Sequence, residues 1–154
     1  MSETLTGPKG MTIASTFGGP GFELRIGAHR ADLGSLWAQC GLDSEWTDLQ
    51  SVMLAWPPDS LEFEGDPDAV LMLERPDLEL ARLQAEILGE IFEEQGVQVH
   101  WARPAQVPPP NFIFMRDLVF MTPEGAVLAR PASPVRAAEA RAVAECLAAA
   151  GIPI

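Results

Sequence analysis

The sequence has little positive charge. Only ten Lys and Arg stand against 22 Asp and Glu in 154 residues, which gives a formal net charge of −12. Because Lys and Arg supply most of the affinity for a phosphate backbone, nucleic acid is not expected as a partner. Acidity favours cationic ligands, but it also keeps proteins in solution, so charge alone permits either interpretation.

Cysteine, histidine and long apolar runs are also scarce. Cys40 and Cys146 lie far apart, and we expect two free thiols. The two His and two Cys occur singly, without metal-ligand spacing, so we expect neither a metal nor a cofactor. Arg and Glu interrupt the apolar stretch 137–154, and residues 1–10 lack the apolar core of a secretory signal. These features predict a cytoplasmic protein without membrane contact.

The chain divides into two parts. Residues 1–44 are rich in glycine, show no sustained periodicity and are predicted to form an irregular lead-in. Within 45–154, an apolar run at 50–56 predicts a buried strand. Apolar residues then recur at helical spacing from Pro76 to Gly96, before a second strand at 97–101. The order strand, helix, strand predicts an α/β fold.

A β-hairpin and a second helix are predicted next. Residues 111–121 are nearly all apolar, and a turn joins them to 126–129, so we expect two strands with both faces buried. Ser133 and Pro134 are typical of a helix start, and the apolar pattern continues to Gly151. The chain then ends on apolar residues that look like the approach to another strand, which suggests a truncated chain.

Asp117 is the residue that most needs a partner. A carboxylate inside a buried strand is costly to desolvate, and its neighbour Arg116 would point to the opposite face. Two accounts stay open. Asp117 can pair with a structural arginine or backbone amides, or it can bind a cationic ligand through two parallel hydrogen bonds to a guanidinium.

Two segments carry a resemblance to a known superfamily. Residues 111–117 read Asn-Phe-Ile-Phe-Met-Arg-Asp, and residues 129–136 read Ala-Arg-Pro-Ala-Ser-Pro-Val-Arg. This pattern, with the segment 45–57 that has an acidic and aromatic start and contains the first strand, resembles the guanidino-group-modifying superfamily of amidinotransferases, arginine deiminases and dimethylarginine hydrolases. The resemblance covers about 45–154, the front part of the family's length. It implies a pentein-like β/α-propeller, of which this chain would supply about the first two blades.

The resemblance also implies a binding site for a small guanidino substrate. Asp117 matches the aspartate that binds the substrate guanidinium, and Arg136 matches an arginine that holds the carboxylate of amino-acid substrates. A solvated helix arginine remains the alternative for Arg136. Asn111 and Phe114 match positions that line the pocket. A straight strand would separate Asn111 from Asp117 by about 20 Å, so Asn111 can contribute only if the chain bends.

Catalysis in this superfamily uses a cysteine nucleophile and a histidine, both from segments beyond the hairpin. The resemblance therefore implies an amidinotransferase-type enzyme whose Cys and His lie beyond residue 154, with this chain inactive alone. Cys146 is expected in the core instead. Three alternatives stay open: a hydrolytic deiminase or dimethylarginine hydrolase, a noncatalytic guanidino-binding module, or a second chain that completes the propeller. Poor solubility or self-association is expected of the chain alone, and a homo-oligomer stays open beside the second chain as a partner.

Overall fold

The first structural unit is a strand, a helix and a second strand. A computed structural model describes residues 26–154. Strand β1 (Ser51–Ala55) and strand β2 (Gln98–Ala102) pair in parallel, with Ser51 opposite Gln98 and Ala55 opposite Ala102. Helix α1 (Leu78–Glu94) makes the crossover that two parallel strands need. The predicted order of elements is confirmed.

Local sequence sets both ends of α1. The Asp77 side chain caps the first turn by accepting a hydrogen bond from the Leu80 amide at 2.9 Å. At the other end, Gly96 adopts a φ of 77°, a left-handed conformation that glycine takes at little cost. Between these residues, Leu78 and Gly89 are the buried positions of the helix.

Most large apolar residues of α1 are about half exposed. They are Leu80, Leu83, Ile87, Leu88 and Ile91, whereas Leu78 is buried and Phe92 is partly buried. The sheet side of the helix instead carries Gly89, which lies so close to Trp101 that an added Cβ would be 2.7 Å from the ring. The helical period of these apolar residues therefore predicts the helix but does not mark its sheet side, because a small residue allows closer approach to the sheet.

The predicted first strand of the hairpin is wrong over most of its length. Residues Pro110–Leu118 form a 3₁₀ segment that is kinked at Phe114, and only Val119–Thr122 is extended. The buried residues of this segment are Asn111, Phe112, Met115 and Leu118, a spacing that suits a helical turn and not a strand. Two prolines, Pro108 and Pro109, precede the segment, and Pro110 stands at its first position, where a proline is tolerated.

The hairpin itself is short. Strand β3 (Val119–Thr122) pairs antiparallel with strand β4 (Gly125–Leu128), and Thr122 lies opposite Gly125. The carbonyl of Pro153 accepts a hydrogen bond from the Ala126 amide at 2.9 Å. Residues 152–154 thus lie beside β4 without forming a strand, and the further strand that their apolar character predicted stays a prediction.

Residues 26–44 join this second unit. They are irregular apart from a 3₁₀ turn at His29–Asp32 and an isolated bridge between Leu33 and Trp37. The Ala38 amide donates to the carbonyl of Gly151 at 2.9 Å, and the Leu42 amide donates to that of Thr122 at 3.2 Å. The rest of the predicted lead-in, residues 1–25, lies outside the described residues.

The second helix starts later than predicted. Ser133 accepts a hydrogen bond from the Val135 amide, as a cap should, but it caps a 3₁₀ turn at Pro134–Arg136. Helix α2 (Glu139–Ala149) follows and places apolar side chains in the main core. The buried members of that core are Ala102, Phe112, Met115, Leu118, Ala126, Val143, Cys146 and Leu147. The 3₁₀ segment and α2 thus pack on each other.

The described residues contain two separate two-stranded sheets, one parallel and one antiparallel. This is a mixed arrangement of helices and strands in which neither sheet closes on itself. The β/α-propeller stays a prediction. Between residues 26 and 154, no helix is long and apolar enough to cross a membrane.

Candidate functional site

The guanidinium of Arg136 is the centre of the densest polar cluster in the described chain. Its Nε donates to Glu139 Oε2 at 3.0 Å, and its Nη2 lies 2.9 Å from the same oxygen. Its Nη1 donates to Asp117 Oδ2 at 2.9 Å. The side chain is only 18% exposed, so these bonds replace most of its contact with water. We call these three residues the Arg136 cluster.

The kinked 3₁₀ segment completes the coordination of Arg136. Nη2 also donates to the carbonyls of Phe114 at 3.3 Å and Asn111 at 3.5 Å. The backbone of the segment is kinked at Phe114 (φ −94°, ψ 38°), which lies between Asn111 and Asp117 in the chain. One arginine therefore ties together the 3₁₀ segment and the start of α2.

The structure brings all four predicted site residues together. The bend that Asn111 required is present, because the segment is coiled and not extended. Asn111 reaches Arg136 through its carbonyl, while its buried side chain donates to the carbonyl of Val70. Phe114 also contributes its carbonyl, and its ring is about half exposed. Backbone groups, which sequence patterns do not reveal, therefore make these two contacts.

Asp117 has a different environment from the one predicted. It stands near the end of the 3₁₀ segment with its side chain 52% exposed, so the expectation of burial on a strand is wrong, and Arg116 beside it is exposed as well. The structural arginine that the first account required is present as Arg136. Only Oδ2 engages it, and within residues 26–154 no hydrogen-bond partner contacts Oδ1. Asp117 thus combines one oxygen held by Arg136 with one oxygen that has no partner among the described residues.

Glu139 is the site residue that sequence reasoning missed. Its side chain is fully buried, Oε2 holds Arg136, and Oε1 has no hydrogen-bond partner in the described structure. Burial raises the pKa of the Glu139 carboxyl, and the hydrogen bond and charge of Arg136 offset only part of that rise. Its position three residues after Arg136, at the start of a helix, was the available signal.

The charge of the Arg136 cluster depends on Glu139. Burial lowers the pKa of Arg136, but its hydrogen bonds to Glu139 and Asp117 outweigh this effect and raise the pKa overall. Arg136 is therefore a permanent cation. With both carboxylates ionised, one positive and two negative charges leave a net charge of −1, and protonation of Glu139 brings it to zero. The ionised cluster favours a cationic ligand at the open oxygen of Asp117.

Neither cysteine is placed as an activated nucleophile. Burial raises the pKa of the Cys146 thiol in the main core, and the charge of Glu145 raises it further. Burial also raises the pKa of Cys40, which lines a pocket of about 200 Å³ with the Arg30–Asp43 ion pair. Raised pKa values leave less thiolate at neutral pH.

The histidines and pockets also lie away from the Arg136 cluster. His29 stacks on Trp37 with ring centroids 5.9 Å apart, and His100 lies in β2. A second open pocket, of about 470 Å³, lies along α1 beside Trp56. Across residues 26–154, no group of three or more His, Cys, Asp or Glu side chains converges as a metal site would require.

Neither a scan against protein-family models nor a search of curated proteins finds a match to this chain. The resemblance to guanidino-modifying enzymes therefore stays a prediction. The geometry of the Arg136 cluster is therefore the basis for assigning a function.

Proposed function

We propose that this chain supplies the guanidino-binding part of an amidinotransferase-type enzyme of the cytoplasm. The observation that carries the proposal is the pairing of Asp117 with a guanidinium. Its Oδ2 accepts from Arg136 at 2.9 Å, while Oδ1 stays open on a half-exposed side chain. A carboxylate held in this way can accept a second guanidinium from a small substrate such as arginine.

In this proposal Arg136 acts mainly through Asp117. Four hydrogen-bond acceptors surround its guanidinium: the two carboxylates and the carbonyls of Asn111 and Phe114. Such an arginine cannot turn toward a substrate without breaking several of these bonds. Arg136 would therefore position the Asp117 carboxylate and limit its rotation before the substrate arrives. Binding of the substrate carboxylate by Arg136 remains the alternative, and it predicts a different response to ligands.

The reaction requires groups that the cluster does not contain. In an amidinotransferase, a cysteine thiolate attacks the guanidinium carbon, the bond to the alkyl nitrogen breaks, and that nitrogen leaves as an amine after taking a proton. A second amine then displaces the thiolate and receives the amidino group. Because burial raises the pKa of both Cys40 and Cys146, we expect the nucleophile and its histidine partner from other segments, beyond residue 154 or on a second chain.

A noncatalytic guanidino-binding module is the second candidate. The raised pKa values of Cys40 and Cys146 favour it, because neither thiol is an activated nucleophile. Residues 26–154 would then bind a guanidino compound through Asp117 without reacting with it. Both candidates predict binding, and only the enzyme predicts turnover. Arginine deiminases and dimethylarginine hydrolases would use the same Asp117 contact, with water in place of the acceptor amine.

Titration calorimetry with arginine tests the binding site. We expect Asp117→Asn to weaken arginine binding at least tenfold, because it removes the negative charge but keeps the shape. Asp59 offers a matched control, since it is also an exposed aspartate paired with an arginine, Arg82. Asp59→Asn should change binding less than twofold. Equal binding by Asp117→Asn and the unaltered protein would refute the proposed site.

Agmatine, which is arginine without its carboxylate, separates the two roles of Arg136. If Arg136 positions Asp117, Arg136→Lys should weaken binding of arginine and agmatine by similar factors. If Arg136 holds the substrate carboxylate, the substitution should weaken arginine binding alone. A melting temperature near that of the unaltered protein would show that Arg136→Lys still folds.

Product analysis of the protein from its native source distinguishes the reactions. With arginine and an amine acceptor, an amidinotransferase releases ornithine, whereas a deiminase releases citrulline and ammonia. Binding without either product supports the noncatalytic module. An intact mass above 16.6 kDa, the mass of this chain, would show that the native protein has further sequence.

A further inference from the structure

An apolar stripe on α1 lacks a partner in the described structure. The stripe consists of Leu80, Leu83, Ile87, Leu88 and Ile91, which are 45–52% exposed. Successive members are one to four positions apart in the sequence, so they follow one side of the helix for about three turns, or roughly 16 Å. A continuous apolar stripe of this length is typical of an interaction surface.

The opposite side of the same helix is already occupied. Leu78 and Gly89 are buried there, and Gly89 lies against Trp101 of β2. At about 100° per residue, these positions lie roughly half a turn away from the middle of the stripe. Helix α1 thus has two apolar sides, and a helix with that character is usually covered on both of them.

Acidic side chains border the stripe on one flank. They are Glu79, Glu86, Glu90 and Glu93, all exposed. The one basic residue of α1, Arg82, is already paired with Asp59. The open pocket of about 470 Å³ lies at the Leu80 end of the stripe. Besides Arg82, its lining holds the acidic side chains Asp77, Glu79 and Glu86 and the apolar side chains Trp56, Leu80 and Leu83. Three carboxylates against one guanidinium give this end of the stripe a net negative charge.

We propose that the α1 stripe binds an amphipathic helix of a partner polypeptide that carries Lys or Arg along the edge of its own apolar stripe. Apolar contact would bury the leucines, and the basic residues would pair with the glutamate flank. A second copy of this chain fits poorly. It carries a net charge of −12 and would place the same glutamates against each other.

A designed pair of peptides tests this proposal. Both are 18-residue helices with leucine at every third or fourth position, and one carries lysine where the other carries glutamate. Fluorescence anisotropy with the full chain at physiological salt should show at least tenfold tighter binding of the lysine peptide. The double substitution Glu86→Lys with Glu90→Lys should weaken that binding at least tenfold, because it reverses the charge of the flank.

Two controls separate the stripe from general charge attraction. Glu124 is exposed in the hairpin turn, and Glu124→Lys should change binding less than twofold. The double substitution Leu83→Gln with Ile87→Gln should abolish binding without lowering the melting temperature, because both side chains are half exposed. These results would localise the peptide on α1.

Three outcomes would overturn the proposal. Equal binding of the two peptides would show that the charge of the partner helix does not matter. A loss with Glu124→Lys as large as that with the α1 double substitution would show unspecific attraction. A concentration-dependent dimer in sedimentation velocity that disappears with Leu83→Gln and Ile87→Gln would identify a second copy as the occupant.

Discussion

Helices α1 and α2 use their apolar residues in opposite ways. Helix α2 places Val143, Cys146 and Leu147 in the main core, each at most 7% exposed. Helix α1 has more large apolar side chains, yet its stripe is about half exposed, and it meets the sheet through Gly89. Both helices show a clear apolar period, so the period predicts a helix but not which side is buried.

The difference arises from the surface that each helix meets. Helix α2 packs against the 3₁₀ segment, whose Phe112, Met115 and Leu118 leave room for large side chains from the helix. Helix α1 crosses a two-stranded sheet that presents the Trp101 ring, and a ring at that position leaves room only for glycine. The partner surface thus selects large residues in one helix and a small one in the other.

The largest expected effect is the loss of stability when a core side chain of α2 is truncated. Leu147 is 2% exposed, and Leu147→Ala should lower the free energy of unfolding by about 2–5 kcal/mol. Leu83 is 52% exposed, and Leu83→Ala should cost less than about 1 kcal/mol. Urea unfolding of both variants makes the comparison direct, because leucine and alanine are both good helix formers. Equal losses would mean that Leu83 is covered in the native protein.

A smaller effect is expected at the closest contact of α1. Gly89→Ala favours the helix by about 1 kcal/mol, but its Cβ would lie 2.7 Å from Trp101 and force the ring to move. That ring also packs edge-on against Trp56, with centroids 5.4 Å apart. We expect a net loss of about 1 kcal/mol in thermal unfolding. Gln84→Ala, at an exposed position of the same helix, should be neutral or slightly stabilising.

A stabilising effect of Gly89→Ala would contradict this account of α1. It would show that the Trp101 ring can move away from the added Cβ, and that the sheet side of the helix is loosely packed. The comparison of the two helices would then depend on the exposed stripe alone.

The smallest expected effect is a change in the pH dependence of stability when Glu139, at the start of α2, is replaced. Burial raises the pKa of Glu139 in the folded state, so its proton stabilises the fold fully below the unfolded pKa of about 4.3. That contribution is lost as pH rises through the folded pKa. The stability of the unaltered protein relative to Glu139→Gln should therefore fall as pH rises from 4 to 8.

Urea unfolding across this pH range measures the trend, with Glu124→Gln as an exposed control that should show no comparable slope. Arg136 and Asp117 are the charged groups that face Glu139, and the Arg136 guanidinium stays a cation over the whole range. A stability difference that stays constant or rises with pH would contradict the assignment of Glu139 as a costly buried acid.

The four residues that the sequence predicts for the site lie together, but their local structure differs from the prediction. Asp117, Arg136, Asn111 and Phe114 do lie together, and the strand, helix, strand order around α1 is present. The local structure of 110–118 was missed because phenylalanine and isoleucine favour strands, whereas packing against α2 selected a 3₁₀ turn. Glu139 was missed because a glutamate at a helix start is ordinarily exposed.

The sequence alone determined the elements whose signals are local. The Asp77 cap, the Gly96 end and the helical period of α1 all act within a few residues, so they can be read along the chain. Only the tertiary structure decided which apolar side is buried and which charges meet. Arg136 and Asp117 are 19 residues apart, and their contact depends on backbone carbonyls and a kink at Phe114 that no side-chain pattern encodes.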